Sequence, residues 1–464
     1  MFDSTALERA FAVATAVALV CSLGAATAVA PGSSAPERSA PGFDPSVPDT
    51  DAFAAPTADG VATVDGESYS DLQRAVAAAD PGETVAVDGR LDGRVVVRTP
   101  NITIAGSGVD AALLHGPGEG DVLTIRAPGV TVRDLWIRNS GLDASGNDAA
   151  VFVNASDVTV RDSRITAATF GVWLNGVTGA HVENTTIVGR SSVADRSNRG
   201  NGIQVWNTED SVLRNNDVTA ARDGLYYNWA SNVTATSNRL WDLRYGVHYM
   251  YSDDSRLADN VAFDNDVGYA LMVSKRLTIE DNVAVNNTGR SGHGILLKSI
   301  DDTEVRGNHF VENDNGVFMY NSVSNTLADN LLAGNDIGVH ITAGSTEESV
   351  YGNSFVRNDR PVLAVMEEQV YWNGSAGNYW SGADPVDLDD DGVGETRYQP
   401  AGAVQQVTAR QPATRVFAAS PAFDAVRLAE STVPVVESPG IVDSRPLTEP
   451  PHEDWREYYD DRDN

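Results

Sequence analysis

The chain of 464 residues contains one cysteine, Cys21, and only two lysines, Lys275 and Lys298. A single thiol excludes disulfides within the chain and cysteine-rich metal sites. Basic residues number 33 against 65 Asp and Glu, giving a net charge of −32. Without a basic patch to neutralise phosphates, the composition excludes nucleic acid and disfavours anionic lipid as partners. So acidic a chain, with Arg in place of Lys, has the composition of a protein from a high-salt habitat.

Long apolar runs are also scarce. One, from Phe11 to Leu23, follows Arg9 and precedes the small-residue sites Ala26-Thr27-Ala28 and Ala28-Val29-Ala30. It reads as an export signal over residues 1–30, being short for the roughly 20 residues of a membrane span. An uncleaved anchor is the alternative. Cys21 lies inside the run, so cleavage leaves a mature chain without cysteine. Residues 31–62 are rich in Pro, Ser, Ala and Asp without apolar period and read as a linker. The folded part is expected on the outer face of the cytoplasmic membrane, in a periplasm or its archaeal equivalent.

What the chain does have is a period. Glycines open successive turns at Gly171, Gly202, Gly224, Gly246, Gly268, Gly294, Gly316 and Gly338, 22 residues apart except where insertions lengthen a turn. Two asparagine rows share the period, one running from Asn216 to Asn330 and the other from Asn265 to Asn335. Stacked corners explain such rows, because Asn tolerates left-handed backbone and can bond the Asn one turn above.

Apolar residues at plus one and plus three from each glycine, such as Leu225 with Tyr227 and Val247 with Tyr249, form an inward column. Two more columns run through Leu213, Leu257 and Val305, and through Val218, Leu240 and Phe310. Three columns per turn mean three strands per turn. The spacing predicts an all-β, right-handed parallel β-helix over residues 63–380, stabilised by stacking. Ser70-Asp71-Leu72-Gln73 is expected to open a capping helix, with Ser70 as N-cap and Leu72, Ala75, Val76 and Ala79 on one face.

If plus one and plus three point inward, plus two and plus four face solvent. Those positions hold Trp173, Gln204, Trp206, Tyr226, Asn228, His248, Met250, Met272, Leu296, Lys298, Phe318, Tyr320 and His340. An exposed aromatic, Met and His strip marks a binding face, unless a loop or the C-terminal tail covers it. His248, Met250 and Met272 offer the imidazole and thioether groups that a thiol-free protein has for Cu(I); a docking surface for a protein partner is the competing reading. Enzymes on β-helices need clustered carboxylates for acid/base work on polysaccharides, and these positions supply none.

Beyond the last turn, residues 381–447 form a C-terminal cap. Asp387, Asp389 and Asp391 repeat the D-x-D-x-D-G spacing of a calcium loop, but the closing Glu of an EF-hand would fall on Tyr398. Ser420-Pro421 opens a short helix with Phe423, Val426 and Leu428 as anchors. Residues 448–464 are charged and read as a disordered tail.

Several strings that do not repeat resemble the NosD family of exported accessory proteins. They are Arg199-Gly200-Asn201-Gly202-Ile203 with Trp206-Asn207, Arg244-Tyr245-Gly246-Val247-His248-Tyr249-Met250-Tyr251-Ser252, and His293-Gly294-Ile295-Leu296-Leu297. Ala343-Gly344-Ser345, Gly377-Asn378-Tyr379-Trp380-Ser381, Ser420-Pro421-Ala422 and Asp443-Ser444-Arg445-Pro446-Leu447 follow in the family's order. The resemblance implies a non-catalytic component working with an ABC transporter, its membrane subunit NosY and ATPase NosF, in assembling the copper–sulfide cluster of nitrous oxide reductase, NosZ. The copper chaperone NosL is a further partner in that reading. A secreted carbohydrate-active β-helix protein is the alternative.

Overall fold

The computed structural model describes residue 43 and residues 45–458, apart from 343, 365, 367, 375, 418, 419, 424 and 427–439. The expected export signal with Cys21, and the expected anchor Leu428, lie outside them.

Each turn contributes one strand to each of three sides, here called front, side and back. Asp223–Asn228, Thr234–Thr236 and Arg239–Trp241 make one turn; Tyr245–Met250, Arg256–Ala258 and Val261–Phe263 make the next. They pair in parallel and in register, Leu225 with Val247, Ala235 with Leu257 and Leu240 with Ala262. Among the described residues the front sheet has 12 strands. Strand Thr84–Asp92 bends across a corner, pairing with Thr103–Gly106 on the side and Ala112–His115 on the back. The parallel β-solenoid is thus as the period predicts, and the three apolar columns line one continuous core.

The glycines are required by close approach rather than by turn geometry. A Cβ on Gly246 would lie 2.6 Å from the carbonyl oxygen of Gly268, with Ala262 Cβ at 3.0 Å. The next glycine repeats this, Gly268 meeting the carbonyl of Gly294. Any side chain there would push two turns apart.

The asparagine rows are hydrogen-bonded ladders inside the wall. Asn260 Oδ1 accepts from the backbone N–H of Asn238 at 3.0 Å and from its Nδ2 at 2.8 Å, while Asn260 Nδ2 donates to Ala235 O at 3.0 Å. Left-handed backbone falls on the residue before each rung, such as Asn215, Ser237, Asp259 and Asp281, and not on the rungs themselves. The first ladder continues through Asn353 to Asn378 and ends on Asp443, whose carboxylate accepts from Asn378 N and Trp380 Nε1 at 2.7 and 2.8 Å.

Both ends are capped, with differences from expectation. The N-terminal helix is Leu72–Ala78, burying Leu72, Ala75 and Val76, but its N-cap is Asp71 and not Ser70. Asp71 has the extended backbone of a cap, and its carboxylate reaches the N–H of Arg74 at 3.1 Å. The C-terminal cap is larger than a short helix. Strands Gln369–Tyr371, Tyr398–Ala401 and Gly440–Asp443 form a small sheet, followed in space by helix Ala403–Arg410. Trp372 and Trp380, stacked 6.5 Å apart, close the core. The helical turn after Ser420 is present, with Ser420 Oγ accepting from Phe423 N.

The two terminal segments lie along the back sheet rather than running free. Phe53 packs edge-on against Trp136, and Arg164 sits 3.9 Å over the Phe53 ring. Further up the stack, Phe43, Val47, Trp455 and Tyr458 pack over Phe263, Val285, Val311 and Leu331. Phe43 and Tyr458 stack at 6.2 Å, so the segments expected as linker and tail meet midway up the solenoid. The reason is an outward apolar column on the back sheet, which needs a cover.

Candidate functional site

The front sheet has no such cover among the described residues, yet its outward side chains are not uniformly open. Trp206, Lys298 and Tyr320 are exposed. Tyr226, Asn228, Met250, Met272, Phe318 and His340 are half-buried, and Trp173, Gln204, His248 and Leu296 are buried. Long side chains lie down over neighbouring turns, which the alternation of a strand does not reveal. Trp173 is walled in by Phe152, stacked at 6.2 Å, and Phe170, edge-on at 4.6 Å. Gln204 is held by Asn201, whose Nδ2 donates to Oε1 at 2.6 Å.

The strip is organised around His248. Its Nδ1 lies 3.0 Å from Oδ2 of Asp223; that oxygen also accepts from Arg244 Nη2 at 2.6 Å, and Oδ1 accepts from Arg244 Nε at 2.8 Å. Burial pushes the Asp223 carboxyl upward, but hydrogen bonds from His248 and Arg244 outweigh it and hold the group below the usual carboxylate range. An ionised carboxylate only accepts, so Nδ1 of His248 donates. Nε2 is left buried and without a hydrogen-bond partner. Tyr226 and Tyr245 flank the ring edge-on, with centroids at 4.7 and 5.0 Å. Asp223 and Tyr245 precede their glycines, outside the plus-two and plus-four pattern, so sequence reasoning missed them; a carboxylate does reach this face.

Met250 and Met272 are register neighbours, directly beside Asn228 and Lys298 in the same column. An imidazole with a bare Nε2, its Nδ1 fixed by a carboxylate, is the way metal-bound histidines are held, and thioethers are soft donors.

Higher up, Asn315 joins two more histidines. Its Nδ2 lies 3.2 Å from His293 Nδ1, and its Oδ1 lies 3.3 Å from His340 Nδ1. Phe318 stacks on His293 at 4.6 Å and meets His340 edge-on at 4.8 Å. Burial lowers His293 to about 4 and also lowers His340.

In the Asp-rich loop, the carboxylates brought together are Asp387, Asp389 and Glu395, within 4.8 Å of one another. Asp391 instead accepts from Val393 N at 2.8 Å, and Tyr398 begins a strand of the capping sheet. Glu395 thus stands where the spacing pointed to Asp391.

A family profile described as "Periplasmic copper-binding protein (NosD)" matches residues 183–385. A "Probable ABC transporter binding protein NosD" of Pseudomonas aeruginosa is 36% identical over 302 residues, covering 62% of this chain and 70% of the relative. The chain belongs to the NosD family. A second NosD, from Stutzerimonas stutzeri, is 32% identical over 177 residues, 35% of this chain and 41% of that one. The matched region contains most of the front strip, from Gln204 to His340. No helix among the described residues is long and apolar enough to cross a membrane.

Solved structures with related folds include the periplasmic alginate epimerase AlgG T265N mutant, at TM-score 0.41 and 14% identity over 67% of this chain and 83% of that one. A PL6 alginate lyase gives TM-score 0.48 and 13% identity over 62% and 77%. At these values the likeness extends to no shared chemistry.

Proposed function

We propose that this NosD works outside the cytoplasm with an ABC transporter, of the NosF and NosY kind, in maturing the copper–sulfide centre of nitrous oxide reductase. It acts by binding partners and not by catalysis. The observation that carries the reading is an asymmetry of the solenoid. The apolar column on the back sheet is covered by the chain's own terminal segments, whereas the front strip, with Trp206 and Tyr320 exposed and Met250 and Met272 half-buried, has no such cover among the described residues.

Copper enters as cargo. His248 Nε2 with Met250 and Met272 would hold it, Asp223 would keep the ring oriented, and the apo reductase NosZ would receive the ion, with NosL as donor. The test is co-purification with the solubilised transporter in native salt, together with Cu(I) titration of H248A/M250A. Failure to associate removes the transporter role; copper binding unchanged in the variant removes the cargo site.

A second reading rests on the Asp223–His248 pair, since a carboxylate-oriented imidazole between two tyrosines can serve acid/base chemistry on a polysaccharide. Nε2 is buried, so either copper or a substrate reaches it only after a neighbouring side chain such as Tyr226 or Tyr245 moves, and burial does not separate the two readings. Turnover of an acidic polysaccharide that D223N abolishes would favour this reading over the first.

A further inference from the structure

Six corner residues follow the outward plus-four positions of the front sheet in successive turns: Asn207, Trp229, Tyr251, Val273, Ser299 and Asn321. All have left-handed backbone, with φ between 46° and 59°. Asn suits that conformation; Trp, Tyr and above all β-branched Val do not. Yet these three stand side by side, and they are exposed, Trp229 at 59%, Tyr251 at 48% and Val273 at 40%. The rings of Trp229 and Tyr251 lie 5.2 Å apart. They fill no core and disfavour their own corner, so folding gives no reason for them.

The charges around them are equally out of character. Both lysines of the chain flank the group: Lys298 pairs in register with Met272, and Lys275 is two residues beyond Val273. Lys298 has no carboxylate beside it in register, whereas Lys275 stands in register with Asp301 and next to Asp253 and Asp254. From Gln204 to Asn321, the plus-two, plus-four and corner positions contain no carboxylate. On a chain of net charge −32, outward columns without a carboxylate suit an acidic partner that the remaining surface would repel; the one carboxylate that reaches this face, Asp223, is buried and bonded to Arg244 and His248.

We propose that Trp229, Tyr251 and Val273, with Met272 and the two lysines beside them, anchor an acidic extracytoplasmic protein surface in which an apolar side chain is ringed by carboxylates. The inference rests on the reading that the front sheet binds the transporter, and it moves the main contact from the middle of that sheet to its edge. Aromatic and Met side chains concentrate binding energy at interfaces, and the lysines set register and association rate. Asp253, Asp254, Asp301 and Asp302 at the next corner bound this edge, so the partner's carboxylates sit on the Lys298 side of the patch; an extended anionic lipid surface, which cannot avoid that corner, fits less well.

The test compares the full chain with W229N/Y251N/V273N for binding to the detergent-solubilised ABC transporter of the same cell, alongside thermal unfolding. Asn already occupies this column at Asn207 and Asn321, so the variant fits the corner. The expected result is a loss of affinity of about tenfold or more, with Tm unchanged or raised. K298E alone should slow association, most visibly at low salt. Equal binding by parent and triple variant overturns the anchor and leaves the transporter reading standing. No binding by the parent sinks both. Lost binding with a fallen Tm, and no effect of K298E, assigns the residues to folding and overturns the anchor. Vesicles of phosphatidylglycerol and phosphatidylcholine are the second probe; retention on them that the triple variant abolishes reassigns the edge to the membrane.

Discussion

Glu348 shows how one residue can set a pH dependence for a wall otherwise built of amides. It accepts from the backbone N–H of Asn325 at 3.0 Å and from Asn325 Nδ2 at 3.3 Å, in the row that runs through Thr303. Burial raises it from 4.5 to about 8, so the folded chain holds a proton there that the unfolded chain releases. Stability from this group is therefore full below the unfolded value and falls as pH rises toward 8. Replacement by Gln keeps a neutral acceptor. E348Q should melt higher than the parent at about pH 9 and converge with it near about pH 5. His293 acts in the opposite sense. Lowered from 6.5 to about 4, it is held neutral by the fold, and stability is lost as pH falls between those values. H293N should flatten the acid limb of a Tm-against-pH curve.

At the level of strands and corners, the ladders make the turns depend on one another. N260A would leave the backbone N–H of Asn238 and the carbonyl of Ala235 without these partners, and the Asn238 amide with only its bond to Leu213 O. At about 1–3 kcal/mol per buried orphan, a loss of about 3 kcal/mol in urea denaturation is expected, against about 1 kcal/mol for the exposed N232A, which gives up one bond to Asp210 and places Ala in a left-handed corner. D443A should cost a similar amount, because the N–H groups of Asn378 and Arg445 and the indole of Trp380 all end on that carboxylate. The period, the inward columns and the family strings were legible in the sequence because each is a local pattern repeated at one spacing. Coverage was not. Whether His248 or Trp173 is open depends on the length and tilt of side chains one turn away, such as Tyr226 and Phe152, and no single strand encodes that. Asp223 was missed because it sits before its glycine, at a corner that the strand alternation does not address. Trp229, Tyr251 and Val273 did carry a signal, as bulky residues in a column whose ends are Asn207 and Asn321, but only the register gives it meaning.

For the molecule as a whole, the back sheet and its two covering segments form the other unit of interest. Their anchors are isolated, Phe43, Phe53, Trp455 and Tyr458, so no period announced them. Truncation after Pro451 should uncover Val311, Leu331 and Val356, seen as increased binding of an apolar dye with only a small fall in Tm, because the core itself is untouched. The excess of negative charge adds a global expectation: Tm should rise as KCl increases from about 0.1 to about 2 M, since a Debye length shrinking below about 10 Å screens self-repulsion. The meeting of Phe43 and Tyr458 has a mechanical consequence. A pull applied through the two ends of the chain does not stretch the solenoid along its axis; it grips the stack at the waist. In a force-extension trace the terminal segments should unzip first, at low load and in opposite directions, before any coil bears tension. Sawtooth steps of one coil each should follow only after both caps are reached.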